Sequence, residues 1–264
     1  MAYPLLFSPL ELGPLRLRNR VVMSAMTTGF GFEQGVPDET MAAYLRARSG
    51  GVAMTTVAFG AVSPEGRVEE RLPWMWRPDA AAAIAPLAAA IHAGGALACL
   101  QLGHGGRQVS PAVTGQEPVA PSAVPPRAHV KQAPRALTLS EVEEIVERFG
   151  RAAGDAQDAG FDCVEVHAGH GYLFHQFLSA EANLRDDRYG GRTVAERARF
   201  LGDVVASIRS EAPGIAVVVR LNGSDLVPGG SGPEEATEAA RAAVAGGAHG
   251  VIVAAGVYGS VPDT

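Results

Sequence analysis

A chain of 264 residues with a formal net charge of −6 is long enough for one barrel-sized domain, and it has no Lys/Arg-rich run to mark a nucleic-acid or membrane-surface partner. No apolar run approaches the roughly 18 residues needed to span a bilayer, and the opening Met1-Ala2-Tyr3-Pro4 lacks the basic start of a secretory signal, so the expectation is a cytoplasmic protein. The two cysteines, Cys99 and Cys163, stand inside apolar runs and read as buried inert thiols, which excludes a four-cysteine metal or iron–sulfur centre within the chain.

The first β-branched run, 21–26, predicts a strand, and the amphipathic stretch 38–48 a helix. The same pair of signals recurs as strand 52–57 with helix 78–92, then as strand 96–102. Segment 103–139 contains six prolines and little periodicity; it reads as a long βα insertion over one end of the sheet, because the alternation resumes after it. Helix 140–159 opens with Ser140 as N-cap and Glu143 three residues on, a capping-box spacing. Strand 162–167, helix 194–211, strand 215–221, helix 233–245 and strand 251–254 complete the series. Gly94-Gly95, Gly160 and Gly246-Gly247 end helices just before the next strand. Strands apolar on both faces and alternating with helices predict a parallel sheet, either doubly wound or a TIM barrel, formed by residues 1–264 as one domain.

In such sheets the site gathers at the carboxyl ends of the strands. There the sequence places Thr27-Thr28, Phe59-Gly60, Gln101 followed by Gly103-His104-Gly105-Gly106-Arg107, then His167, His170 and Tyr172, and finally Arg220 with Asn222. Five polar strand ends in succession describe one polar mouth. Singly, each has a plainer reading. Gln101 suits a satisfied internal polar group as well as a ligand contact, Arg220 could pair with an acid such as Asp225, and His167-x-x-His170 is a weak zinc signal without a third ligand. The glycines after Gln101 are followed by a proline-rich stretch rather than a helix, which argues against a dinucleotide loop.

These residues carry a resemblance. The chain is similar to the flavin-binding barrel of the old yellow enzymes, especially the branch with the bacterial 2,4-dienoyl-CoA reductases. The likeness runs through Leu6-Phe7-Ser8-Pro9-Leu10, Leu17-Arg18-Asn19-Arg20-Val21-Val22-Met23, Ser63-Pro64-Glu65-Gly66-Arg67, Gln101 to Arg107, and Ala120-Pro121-Ser122. It is densest in 164–178 and in Asn183-Leu184-Arg185-Asp186-Asp187-Arg188-Tyr189-Gly190-Gly191.

The resemblance implies a TIM barrel holding FMN, which takes hydride from NADH or NADPH and passes it to an electron-poor carbon–carbon double bond of an unsaturated carbonyl or enoyl/dienoyl thioester. By position, Ala25, Met26 and Thr27 would border the flavin edge, Phe59 and Gly60 would offer backbone, Gln101 would bond the pyrimidine half, and Arg220 would stand by N1. His167 and His170 would donate to the substrate carbonyl, Tyr172 would protonate the α-carbon, and His175 would be structural. Arg185, Asp186, Asp187 and Arg188 would form a salt-bridged loop. Ala25 replaces a proline common among relatives, and Gly29 a tyrosine of some, which leaves a roomier pocket. No metal, nucleic acid or membrane is implied; a homo-oligomer is compatible.

Six strands are countable where a closed barrel of this type has eight, and the family's phosphate-binding loops after strands seven and eight have no counterpart. The expectation is therefore a fragment of a longer protein lacking the last two βα units. Two alternatives stand beside the reductase: a catalytically inactive barrel remnant, and a metal-dependent barrel hydrolase using His167 and His170.

Overall fold

Six strands lie side by side in the order in which the chain makes them, every neighbouring pair parallel. The computed structural model describes residues 3–126, 132–258 and 260. We label the strands β1 (Val22–Met23), β2 (Met54–Ala61), β3 (Leu97–Gly103), β4 (Cys163–Ala168), β5 (Ala216–Ser224) and β6 (Gly250–Ala255). The long helices are α1 (Glu39–Arg48), α2 (Ala80–Ala93), α3 (Leu139–Asp158), α4 (Arg199–Glu211) and α5 (Pro233–Ala245). A doubly wound sheet reverses strand order at a switch point. Here no reversal occurs, and each helix packs on the next around one face, the winding of a barrel with five βα units and a sixth strand among the described residues rather than the six units expected.

Side-chain alternation divides the sheet into two layers. Val57, Leu100, Leu102, Val164, Val166, Val217, Val219 and Leu221 face outward and bury Ile84, Leu87, Ile145, Phe149, Val204, Ile208 and Ala243 of the helices. Inward, Met54, Cys99, Cys163, Ala216 and Val218 form a floor, closed from below by Leu12 and Leu15 of the hairpin Leu10–Leu12/Leu15–Leu17. Both cysteines are fully buried and unbridged, and burial raises the Cys99 thiol further from reactivity.

Three local expectations change. β1 has two residues rather than six, because the chain peels away after Met23 and leaves Ser24, Met26 and Thr27 exposed. β2 continues four residues past Val57, with a register shift: Val57 pairs with Leu100 but Gly60 with Leu102, so one residue is extra. Phe59 and Gly60 thus lie within a bulged strand, not after it. The capping box is built by Thr138 and Glu141, not Ser140 and Glu143. Thr138 Oγ1 accepts from the Glu141 amide and Glu141 returns to the Thr138 amide at 2.8 Å. Both frames satisfy the same spacing, and Arg135, clamping Glu141 at 2.7 Å, favours the earlier one.

The 103–139 insertion keeps little regular structure: a turn at Gly106–Gln108, a short helix at Pro111–Thr114, and Val119–Ala120 paired with Arg135–Ala136. Residues 127–131 of it lie outside the described residues. Arg185 pairs with Asp187, while Arg188 reaches out of its own loop to Asp203 at 2.6 Å. Among the described residues β1 and β6 each have one strand neighbour, and Val251 and Val253 on the helix side of β6 are exposed. No helix among the described residues is long and apolar enough to cross a membrane.

Candidate active site

The inward face of β4 reads Cys163, Glu165, His167, since side chains alternate along a strand. Glu165 is fully buried. It accepts from Gln101 Nε2 at 2.6 Å and from Arg220 Nε at 2.6 Å, with Arg220 Nη2 at 3.3 Å. Arg220 Nη2 also donates to Ser24 Oγ at 2.9 Å, which ties the end of β1 to β5. Arg220 therefore pairs with Glu165, and Asp225 is engaged elsewhere. A carboxylate accepts only, so Glu165 fixes the Gln101 amide with its nitrogen inward. Gln101 Oε1, like Arg220 Nη1, makes no hydrogen bond among the described residues.

One register step above, His167 lies beside Arg220. Around it stand Phe59 (ring centroids 6.0 Å), His170 (5.1 Å) and Tyr172 (5.0 Å). Phe59 is held there by the missing side chain of Gly103, where an added Cβ would come within 2.3 Å of the Phe59 ring. His167 Nε2 and His170 Nδ1 are 3.4 Å apart, too long to be a strong bond and well suited to flank one shared oxygen. His167 Nδ1 is buried without a partner among the described residues. Burial, then the charges of His170 and Arg220, push the His167 imidazole down to about 3, and burial likewise lowers His170. Both rings are neutral N–H donors at neutral pH.

His170 has a left-handed backbone, φ 55°. Its N–H donates to Asn222 Oδ1 at 3.1 Å, and Asn222 Nδ2 donates to Asp225 Oδ1 at 2.8 Å and to the Gly256 carbonyl at 2.9 Å. Asp225 is completed by His175 Nε2 at 2.8 Å and the Ser231 amide at 2.8 Å. Burial would raise the Asp225 carboxyl, but these partners, His175 foremost, hold it at about 2. His175 thus has the structural place expected of it. Gln176 joins the neighbouring loop, donating to the Gly105 and Gly171 carbonyls and accepting from the Arg107 amide.

Tyr172, like Ala25, packs against the buried cluster of Ala58, Phe59, Ala61 and Leu72. Its hydroxyl lies 3.1 Å from that of Tyr258, and burial together with Tyr258 raises its phenol well above the ordinary value. Of the residues expected at the mouth, Gln101, Arg220, Phe59, His167, His170 and Tyr172 come together, and Ala25 packs at their edge. Met26 and Thr27 are exposed beyond it. Gly60 points its Cα–H toward Met75 and Leu102 in the outer layer, so its contribution is backbone only. Glu165, Ser24 and Tyr258 were not anticipated. Counting back by two from His167 finds Glu165 on the same face, and a Glu amid Val164 and Val166 calls for a buried cation; Ser24 and Tyr258 carry no such signal. Among the described residues no three His, Cys, Asp or Glu side chains group as a metal site.

The donor set fits a flavin. The uracil-like edge of an isoalloxazine presents carbonyls and an N–H, and the mouth offers a free guanidinium nitrogen, an amide acceptor and an aromatic wall on one face. Comparison with known proteins agrees. Residues 5–256 match the model of the NADH:flavin oxidoreductase / NADH oxidase family. A 4,4'-dithiodibutanoate disulfide reductase of Rhodococcus erythropolis is 41% identical over 239 residues, 86% of this chain and 56% of that protein. The solved complex of a 2-naphthoyl-CoA reductase with 2-naphthoyl-CoA superposes with a TM-score of 0.92 at 29% identity, covering 98% of this chain and 41% of that one. The old yellow enzyme homologue from Zymomonas mobilis gives 0.84 at 31% identity, covering 95% and 73%. The chain spans about half the length of the Rhodococcus relative. The chain belongs to the NADH:flavin oxidoreductase / NADH oxidase family, whose cofactors are FMN and a nicotinamide nucleotide, and its fold is the barrel of the old yellow enzymes.

Proposed function

We propose that residues 1–264 are the FMN-bearing barrel domain of a cytoplasmic NAD(P)H-dependent ene-reductase. Its substrate is a carbon–carbon double bond conjugated to a carbonyl, in an enone or an enoyl or dienoyl thioester. The single observation that carries the reading is the pair of neutral imidazoles, His167 and His170, opening on one point beside Tyr172, above the Gln101–Glu165–Arg220 row.

When bound, FMN supplies the hydride chemistry. Gln101 and Arg220 would hold its pyrimidine edge, Ala25, Met26 and Thr27 would border it, Phe59 would wall one side, and Gly60 would offer backbone. His167 and His170 exchange their long mutual contact for the substrate's carbonyl oxygen. Their N–H bonds strengthen as charge develops on that oxygen, so they favour the transition state over the ground state. Tyr172, kept protonated by its burial, holds the proton destined for the α-carbon, and Tyr258 stands behind it as hydrogen-bond partner. In the disulfide that names the Rhodococcus relative the bond to be cleaved is not conjugated to a carbonyl, so two imidazole donors placed for a carbonyl oxygen on which charge develops favour the alkene.

The test is direct: purify the chain, add FMN, and follow NAD(P)H oxidation with cyclohexenone, an enoyl-CoA and 4,4'-dithiodibutanoate in parallel. Yellow protein reducing either alkene faster than the disulfide is expected. Colourless protein that cannot be reconstituted, or turnover of the disulfide alone, would defeat the proposal.

A further inference from the structure

We propose that Glu165 is a positioning residue for Arg220 and Gln101, and that its fixed negative charge sets how strongly the site prefers reduced over oxidised FMN. This rests on the FMN binding proposed above. An arginine beside the pyrimidine edge favours the reduced flavin, which carries negative charge there. Arg220 does not act as a bare cation, however, because two of its nitrogens are committed to a carboxylate with no solvent exposure. In a poorly solvated interior the two charges are little screened, so a neighbouring group feels the pair rather than the cation alone.

The remaining geometry points the same way. Glu165 spends both oxygens on Arg220 and Gln101, so it reaches the mouth through them. Gln101 is oriented by the same carboxylate. The fields of both charges extend to the mouth: at His170, where burial is the main depressing influence, Arg220 adds to the depression and Glu165 opposes it.

The experiment is a reductive titration of the FMN-loaded chain against reference dyes. Glu165→Gln keeps the size and one acceptor but removes the charge. It is expected to raise the ratio of reduced-form to oxidised-form FMN affinity at least tenfold, a midpoint rise of about 30 mV for a two-electron couple. Glu165→Asp keeps the charge and should stay within threefold of the parent; a purely structural role would make it as disruptive as the glutamine. A Glu165→Gln ratio unchanged or lowered, with FMN still bound, overturns the inference while leaving the FMN site intact. Failure of the unaltered chain to bind FMN instead overturns the underlying reading.

Discussion

The backbone amide of His170 donates to Oδ1 of Asn222, at 3.1 Å and across 52 positions of sequence. One side-chain amide on β5 thereby holds the left-handed turn that aims the second imidazole into the mouth. Asn222→Ala should lower unfolding stability by about 1–3 kcal/mol, the usual consequence of stranding buried partners. It should also weaken binding of a phenol that mimics the developing enolate more than it weakens FMN binding. Urea denaturation and absorbance titrations with p-hydroxybenzaldehyde check both; equal losses for phenol and FMN would contradict a local role.

Tyr172→Phe should slow alkene reduction by about 10²–10⁴-fold, the range for a positioned proton donor, while reduction of the flavin by NAD(P)H stays close to the parent. Tyr258→Phe should show a smaller loss confined to the same half-reaction. Stopped-flow measurement of each half-reaction separates them, and equal slowing in both would refute the donor assignment.

Replacing Arg220 by methionine leaves the Glu165 carboxylate buried without its cation. Breaking a buried pair from one side costs about 3–5 kcal/mol. The expected result is a chemical-denaturation midpoint well below that of Glu165→Gln; similar midpoints would show that Arg220 Nε and Glu165 Oε1 are not a tight pair in solution.

Acid should destabilise the protein in two stages. The His167 imidazole titrates near 3 when folded and near 6.5 when unfolded, so between those values the unfolded chain binds the extra proton and stability falls as pH drops. Glu65, which burial would raise but His104 outweighs, and Asp225 are both held at about 2 against ordinary values of 4.5 and 3.8. Their contribution is present above the unfolded values and disappears on acidification toward pH 2. Thermal melts from pH 8 to 3 should decline chiefly below about 6.5, and His167→Gln should flatten the upper part of that decline.

Thr138→Ala should cost about 1 kcal/mol as the loss of a helix cap, whereas Ser140→Ala, inside the first turn, should be nearly neutral. The reverse order would restore the cap to Ser140.

The periodic elements are the legible part of this sequence: 233–245 has a helical pattern and forms a helix, because Pro233 opens it and Gly246 closes it. The boundaries that moved are those decided by packing. Nothing local says that the chain leaves the sheet after Met23 or that β2 carries an additional residue, since both depend on what β3 and the mouth present. Gln101, His167, His170, Tyr172 and Arg220 were visible as polar residues at strand ends. Glu165 is masked by the apolar run around it, although alternation alone puts it beside them. Tyr258 could not be seen, since its contact with Tyr172 spans 86 residues.

The irregularity at Ala58–Phe59 has a consequence for how the sequence tolerates loss. Val57 and Gly60 already look outward with their partners Leu100 and Leu102, so excising Ala58 would restore an unbroken ladder and change the register of nothing downstream. Phe59 would then sink one step toward Gln101 and leave its seat over Gly103. A shortened protein of this kind would be at least as hard to melt and far poorer at its chemistry, the opposite of what a deletion in a strand ordinarily does.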